Sequence, residues 1–197
     1  MDDLAAGAVP TGVKEVRLHI RKKGAWMKRY GYRVLIGLWS IAVVALAGCS
    51  AQDAGENAYK QGDYAKALAK FSASDTPKSA YYRGLMYYKG EGVPRDAGEA
   101  ARQFRSAADR GYADAQFDLG TLYAKGDGVP LDKQAALDWY LKAAAGRNSK
   151  ANFNLGLMYL NGDGVRQDRE AGLTWIRKAA DLGNERAKSA LKVLETK

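Results

Sequence analysis

Cysteine and histidine each occur once, and proline occurs four times, among the 197 residues. A single cysteine excludes an intramolecular disulfide framework and any zinc or iron–sulfur site built from several thiolates. The only histidine, His19, lies in a basic N-terminal stretch, which argues against Ser-His-Asp, Cys-His and zinc-histidine catalysis. The scarcity of proline, together with 34 alanines, favours packed helices over strands.

The net charge of +9 is concentrated near the N-terminus. Residues 1–48 carry +5 and residues 49–197 carry +4. In the longer part the two signs are interspersed, and no run of basic residues exceeds two. The basic excess therefore does not predict a nucleic-acid partner.

An uncharged segment, 34–48, directly follows the basic stretch. This order of a positive region, a short apolar region and small residues predicts a secretory signal peptide. The sequence Leu-Ala-Gly-Cys at 46–49 resembles the lipobox of bacterial lipoproteins. That resemblance implies cleavage between Gly48 and Cys49 and a lipid on Cys49. Acyl chains stabilise membrane attachment by about 0.8 kcal/mol per buried CH₂, enough for a soluble domain to stay anchored.

Two alternatives to a cleaved lipoprotein signal remain open. In the first, Cys49 is an incidental small residue. In the second, the 19 uncharged residues 34–52 stay in the membrane as a spanning helix. Every one of these interpretations keeps the positive N-terminus inside and exports the residues after 50.

The expected organisation has three parts. Residues 1–48 form an N-terminal extension and the signal peptide, and a start at Met27 would give that signal an ordinary length of 22 residues. Residues 49–53 form a lipidated tether. Residues 54–197 form the folded domain.

A repeat of 36 residues dominates the sequence after the cysteine. Each unit has a Gly-x-x-Tyr motif, and its glycines are Gly84, Gly120 and Gly156. A Gly-x-Gly-Val loop follows each motif, and the same register then places an aspartate in each unit, at Asp96, Asp132 and Asp168. So many coincidences at one period indicate a repeat architecture.

Each unit has the pattern of two helices. Ala115, Leu119 and Leu122 share one face of a first helix, and the loop glycines then allow the positive φ of a helix end. Asp132 is a suitable N-cap for the second helix. Because one helix pair cannot bury its apolar face alone, the units must stack.

These motifs resemble the Sel1-like repeat family, a relative of the tetratricopeptide repeat with a longer loop between its helices. The resemblance covers residues 54–195. It implies an all-α, right-handed α-solenoid of about 3.5 to 4 stacked helix-turn-helix repeats. The first unit, around 59–68, lacks the long loop and looks like a plain tetratricopeptide turn, whereas residues 184–195 have the pattern of a polar capping helix.

No motif predicts an enzyme, a cofactor or a metal site. The Gly-x-Gly loops lack a following Gly-Lys-Ser/Thr motif, so we interpret them as turns and not as phosphate cradles. Ser189 and Lys192 have the Ser-x-x-Lys spacing of penicillin-recognising enzymes, but the companion Ser-Asp-Asn and Lys-Thr-Gly motifs do not occur. No pair of carboxylates is marked by the sequence as buried for glycoside hydrolysis.

The resemblance also implies that the first helix of each unit lines a concave groove. Five polar residues on these helices are candidate partner contacts, namely Arg83, Gln116, Asp118, Asn152 and Asn154. Side-chain amides can bond the backbone of an extended peptide, and the guanidinium can pair with a carboxylate. Alternatively, these side chains brace neighbouring repeats, and the sequence leaves both interpretations open.

Together these features predict a non-enzymatic lipoprotein of the bacterial cell envelope that scaffolds other envelope proteins through its groove. Its membrane contact is the lipid anchor, and no nucleic acid or metal is expected. Ser50 resembles the residue that follows the lipidated cysteine in lipoproteins of the outer membrane, so we expect the domain to face the periplasm. Two alternatives remain: an envelope enzyme or β-lactam-binding protein of the repeat family, and a peptidoglycan- or polysaccharide-binding module that exposes Trp139 and Trp175.

Overall fold

The computed structural model describes residues 51–194, all of which belong to the second of the two units into which the chain divides, 1–47 and 48–197. Within 51–194 the regular structure is entirely helical. The helices of this part are α1 (51–60), α2 (Tyr64–Ser72), α3 (Pro77–Lys89), α4 (Ala97–Asp109), α5 (Ala113–Lys125), α6 (Lys133–Ala145), α7 (Ser149–Asn161), α8 (Arg169–Asp181) and α9 (Glu185–Leu194).

The signal segment, Gly48 and Cys49 lie outside the described residues, so the lipobox stays a prediction. The tether needs a correction at its C-terminal end, because residues 51–53 are part of helix α1. The Gln52 side-chain carbonyl accepts a hydrogen bond from the Thr76 hydroxyl at 2.7 Å. The folded domain therefore begins before residue 54, since the first turn of α1 already packs against the start of α3.

The helices form consecutive antiparallel pairs, α1 with α2, α3 with α4, α5 with α6, and α7 with α8. We call the first helix of each pair the A helix and the second the B helix. Helix α9 is an A helix, and no B helix follows it among the described residues. Lys192 occupies the position that the repeat glycine has in the other A helices. The pairs stack in chain order, which is the α-solenoid that the repeat predicts.

A glycine in each A helix lets its B helix approach closely. A Cβ atom added at Gly84, Gly120 or Gly156 would lie 2.4 to 2.9 Å from a side chain of the paired B helix. Gly55 of α1 has the same relation to Phe71 of α2, at 2.6 Å, and it stands 29 residues before the next repeat glycine. The chain therefore contains a fourth pair of the same design, with a shortened loop.

The long loop of each repeat is fixed at both ends. Its first glycine adopts a left-handed backbone at the C-terminus of the A helix, with φ between 69° and 76°, at Gly90, Gly126 and Gly162. Its aspartate accepts a hydrogen bond from the backbone N–H three residues further on, at 2.8 to 3.0 Å, in Asp96, Asp132 and Asp168. These N-caps begin the B helices as the sequence predicts.

The buried core lies between neighbouring helices and is rich in alanine, which allows close helix packing. Trp139 is 7% exposed, and Trp175 is packed against the core from a partly buried position. A lysine ammonium covers each indole ring, Lys142 at 3.9 Å and Lys178 at 4.2 Å from the ring centroid. Trp139 is therefore part of the core, and each of the two rings has a lysine over its face.

The acidic residue of each long loop contacts the preceding unit. Asp127 accepts hydrogen bonds from Arg95 at 2.8 and 3.2 Å, and Asp163 accepts one from Lys133 at 2.5 Å. The first loop contributes Glu91, which accepts a hydrogen bond from a tyrosine hydroxyl of α1. Because these pairs are largely exposed, each contributes at most about 1 kcal/mol to stability, and their regular spacing serves to fix the register between units.

Candidate binding surface

The A helices α3, α5 and α7 expose one face that their B helices do not cover. Three rows of residues, each with the 36-residue spacing, make up this surface, and none of them is buried. We name it the A-helix face: Tyr82, Asp118 and Asn154 in the first row, Leu85, Thr121 and Leu157 in the second, and Lys89, Lys125 and Asn161 in the third. In stacked helical repeats such a face forms the extended concave surface.

Arg83 is directed into the domain. Its Nη1–H donates a hydrogen bond to the carbonyl of Phe71 at 2.6 Å, and its Nε–H donates to the Gln103 side chain at 2.9 Å. The removal of water around the half-buried guanidinium lowers its pKa. Arg83 thus connects the C-terminus of α2 to the side of α4. The last carbonyls of α2 need such donors, because they have no partner within the helix.

Gln116 and Asn152 are also engaged inside the domain. Their exposed fractions are 8% and 2%. The Gln116 amide donates to the carbonyl of Ala108 at 3.0 Å, which joins α5 to the preceding B helix. The Asn152 amide donates to the carbonyl of Asn148 at 2.8 Å. The Gln116 contact matches the bracing interpretation, whereas the Asn152 contact is local to the start of its own helix, α7. Both satisfy an amide that is buried within the protein.

Asp118 and Asn154 occupy equivalent places in the first row of the A-helix face. Burial raises the pKa of the Asp118 carboxyl from 3.8 to about 6, while the nearby Tyr81 hydroxyl and Lys150 ammonium act in the opposite direction. Asn154 lies near the Tyr140 hydroxyl and lines a cleft of about 560 Å³ at the start of α7 and α9. The structure thus brings two of the five predicted contacts onto an accessible surface.

Sequence reasoning missed the basic row of this face. Lys89 and Lys125 are both exposed at the last turn of their A helices, 36 residues apart. The sequence contains a signal for this row, because the two lysines are separated by the same 36 residues as the repeat glycines.

The described part of the chain offers no metal site and no spanning helix. Between residues 51 and 194, no group of three or more His, Cys, Asp or Glu side chains is placed to hold a metal ion. No helix in the same range is both long enough and apolar enough to cross a membrane. What the A-helix face does offer is half-buried and exposed apolar, amide and charged side chains in regular rows.

Known structures resemble this chain closely. A Sel1 repeat protein from Oxalobacter formigenes matches with a TM-score of 0.69 and 32% identity, over 72% of this chain and 60% of that chain. A protective antigen of uropathogenic Escherichia coli strains, which displays an SLR fold, matches with a TM-score of 0.67 and 32% identity, over 71% of this chain and 32% of that chain. This chain therefore spans less than two thirds of either relative.

The more distant cysteine-rich protein B of Helicobacter pylori shows the shared fold alone, with a TM-score of 0.51 and 20% identity, over 70% of this chain and 94% of that chain. No curated protein matches this chain. The family model of the Sel1 repeat matches residues 77–112, 113–148 and 149–184, each beginning at an A helix and including the following B helix. By these matches, the chain belongs to the Sel1 repeat family.

Proposed function

We propose that this chain is a non-enzymatic scaffold that binds a partner protein through the A-helix face. The observation that carries the proposal is that none of the nine residues of that face is buried and four of them are exposed, in a domain where no buried side-chain nitrogen or oxygen among residues 51–194 lacks a partner. The core is complete, whereas the face presents Leu157 at 37% exposure among amides and lysines. Repeat solenoids of this kind bind partners along such extended surfaces.

A second part of the proposal concerns location. We infer that the domain is exported and held by a lipid on Cys49, at the outer membrane of the bacterial envelope and facing the periplasm. The support is the order of a basic stretch, the uncharged segment 34–48 and the lipobox-like residues before Cys49. A partner in this location would be another envelope protein.

The lipid anchor is tested by metabolic labelling with palmitate. The native chain should be labelled, and the Cys49→Ala variant should lose the label and accumulate as a poorly processed precursor. Equal labelling of both proteins would remove the lipoprotein proposal while leaving the scaffold proposal in place.

The scaffold proposal is tested by two matched leucine substitutions. Leu157 of the A helix α7 and Leu141 of the B helix α6 are exposed by 37% and 38%. The full-length Leu157→Arg and Leu141→Arg variants are isolated from membranes, and the proteins that accompany each are compared. We expect Leu157→Arg to lose the accompanying partner and Leu141→Arg to keep it. Equal retention by both variants would contradict the proposal.

A further inference from the structure

We propose that the cleft at the start of α7 and α9 receives an acidic segment of the partner protein, with one apolar side chain on the floor of the cleft and carboxylates at its rim. This inference rests on the scaffold function proposed above and specifies the chemistry of the partner. The cleft has a volume of about 560 Å³, which is enough for a short peptide segment. Two half-buried phenyl rings, Phe117 and Phe153, line it together with Lys150 and Arg186.

The two cations of the cleft belong to a row of charged residues. The second residue of each A helix from α3 to α9 is charged, and these residues are 36 positions apart: Lys78, Asp114, Lys150 and Arg186. Lys78 forms an ion pair with Glu56 at 2.7 Å, and Asp114 accepts a hydrogen bond from a side-chain amide at 2.8 Å. Neither Lys150 nor Arg186 forms an ion pair within residues 51–194. These two exposed cations can therefore pair with carboxylates from another chain.

The acids around the cleft leave its positive charge in place. Glu185 lines the cleft, but its carboxylate is paired with Lys188 at 2.8 Å. The Lys150 ammonium lowers the pKa of the half-buried Asp118 carboxyl, yet the two groups form no ion pair. The rim thus has an excess of positive charge, which attracts carboxylates and repels a cationic segment.

The floor of the cleft is apolar because no ring from the chain covers it. Between α3 and α5 the corresponding place is closed by Tyr112, which packs on Tyr81 with ring centroids 5.0 Å apart. Asn184 stands at the position of Tyr112 before α9, and Phe153 stands at the position of Tyr81. The Asn184 side chain bonds the backbone of α7 and α9 and places no ring over Phe153. Burial of an apolar side chain from the partner on this floor is therefore favourable.

The binding test uses the full-length chain in detergent and fluorescein-labelled peptides measured by anisotropy. The probe is Gly-Glu-Glu-Leu-Glu-Glu-Gly, and the control peptides replace every glutamate with glutamine or the leucine with serine. We expect the glutamine peptide to bind about tenfold more weakly, because it has no carboxylate for the two cations. The serine peptide should bind severalfold more weakly, because it leaves the floor uncovered. Equal affinity of the probe and either control peptide, or no binding of the probe up to about 1 mM, would overturn the inference.

A second control separates an acidic peptide from polyanions in general. An oligothymidine with the same net charge as the probe offers phosphates in place of carboxylates and no apolar side chain. We expect it to bind severalfold more weakly than the probe. Equal or tighter binding of the oligothymidine would show that the cleft attracts any polyanion, and the acidic protein segment would then be the wrong occupant.

Two variants of the chain identify the cleft as the place of binding. Lys150→Gln and Arg186→Gln each remove one exposed cation and should fold, because neither side chain is part of the core. We expect each to weaken the probe about threefold, and the double variant to weaken it about tenfold. Lys66→Gln, at an exposed position of the B helix α2, should leave the affinity unchanged. Unchanged affinity in the double variant, or equal weakening by Lys66→Gln, would overturn the inference.

The peptide measurements and the isolation of the native partner can fail separately. If Leu157→Arg loses the native partner while the peptides give one of the overturning results, the acidic occupant is wrong and the scaffold function stands. If the probe binds at the cleft as expected but Leu157→Arg keeps the partner, the scaffold proposal is wrong and the cleft is still a site for an acidic segment. Loss of the native partner in Leu157→Arg and in the double variant supports both.

Discussion

Replacing Gly128 with alanine tests whether the long loop is wedged against the preceding B helix. Gly128 has a φ of +73°, and a Cβ atom there would lie 2.3 Å from the carbonyl carbon and oxygen of Ala97 and 2.7 Å from the Gly98 nitrogen. All three are backbone atoms in the first turn of α4. A rotamer change cannot relieve such contacts, so either the loop or the start of the helix must move.

Gly62 provides the matched control. Its φ is +77°, but a Cβ atom added to it would meet nothing within 4 Å. The left-handed backbone costs an L-residue about 1–2 kcal/mol at either position. Overpacking against a fixed neighbour adds about 1–3 kcal/mol, and only Gly128 has such a neighbour. We therefore expect Gly62→Ala to lower the free energy of unfolding by about 1–2 kcal/mol and Gly128→Ala to lower it by about 2–5 kcal/mol.

The assay is urea unfolding of the full-length variants in one detergent, followed by far-ultraviolet circular dichroism. The midpoint and the slope are both compared, because stacked repeats can unfold in parts and a changed slope would reveal it. An equal loss of stability in Gly62→Ala and Gly128→Ala would refute the close packing of loop and helix. A larger loss in Gly128→Ala with an unchanged slope is the result that the contacts require.

Three further predictions concern single side chains. Because burial raises the pKa of Asp118 from 3.8 to about 6, the native state holds this proton more tightly than the unfolded chain, and stability falls as the pH rises from about 4 to about 6. Asp118→Asn should remove that dependence and be more stable than the native chain by about 2 kcal/mol at pH 7, and identical pH profiles in urea titrations would contradict this. Arg83→Met removes the side-chain hydrogen bonds to the Phe71 carbonyl and to Gln103 and should lower the free energy of unfolding by about 1–3 kcal/mol, whereas an unchanged urea midpoint would show that these contacts are dispensable. Asp132→Ala removes an N-cap and should cost about 1 kcal/mol in the same assay, with the exposed mid-helix Asp138→Ala as a control that should cost less.

The repeat architecture was predictable because its signals are local and recur at a fixed spacing. The glycine of each A helix lets the B helix approach closely, and the aspartate before each B helix caps its N-terminus. Every stacked unit has these two requirements. The first pair was predicted as a unit with a plain tetratricopeptide turn, but its repeat glycine was not, since the shortened loop moves Gly55 to 29 residues before Gly84 and out of the common register. The close approach of Gly55 and Phe71 shows that this pair has the same helix packing as the others.

The binding surface was less predictable, because helix positions one residue apart point about 100° apart. Arg83 and Asp118 both lie on A helices, yet Arg83 turns inward to a carbonyl and Asp118 lies half-buried on the A-helix face. The repeat spacing alone does not tell which of two neighbouring helix positions turns inward.

Site-specific photo-crosslinking tests the central claim, that the partner binds at the A-helix face. A photoreactive amino acid is placed in the full-length chain in living cells, at Leu157 in one strain and at Leu141 in another, since these positions are exposed to nearly the same extent. The scaffold account predicts a discrete crosslinked partner from Leu157 and none above background from Leu141. Crosslinks of equal yield from both positions, or from Leu141 alone, would contradict it.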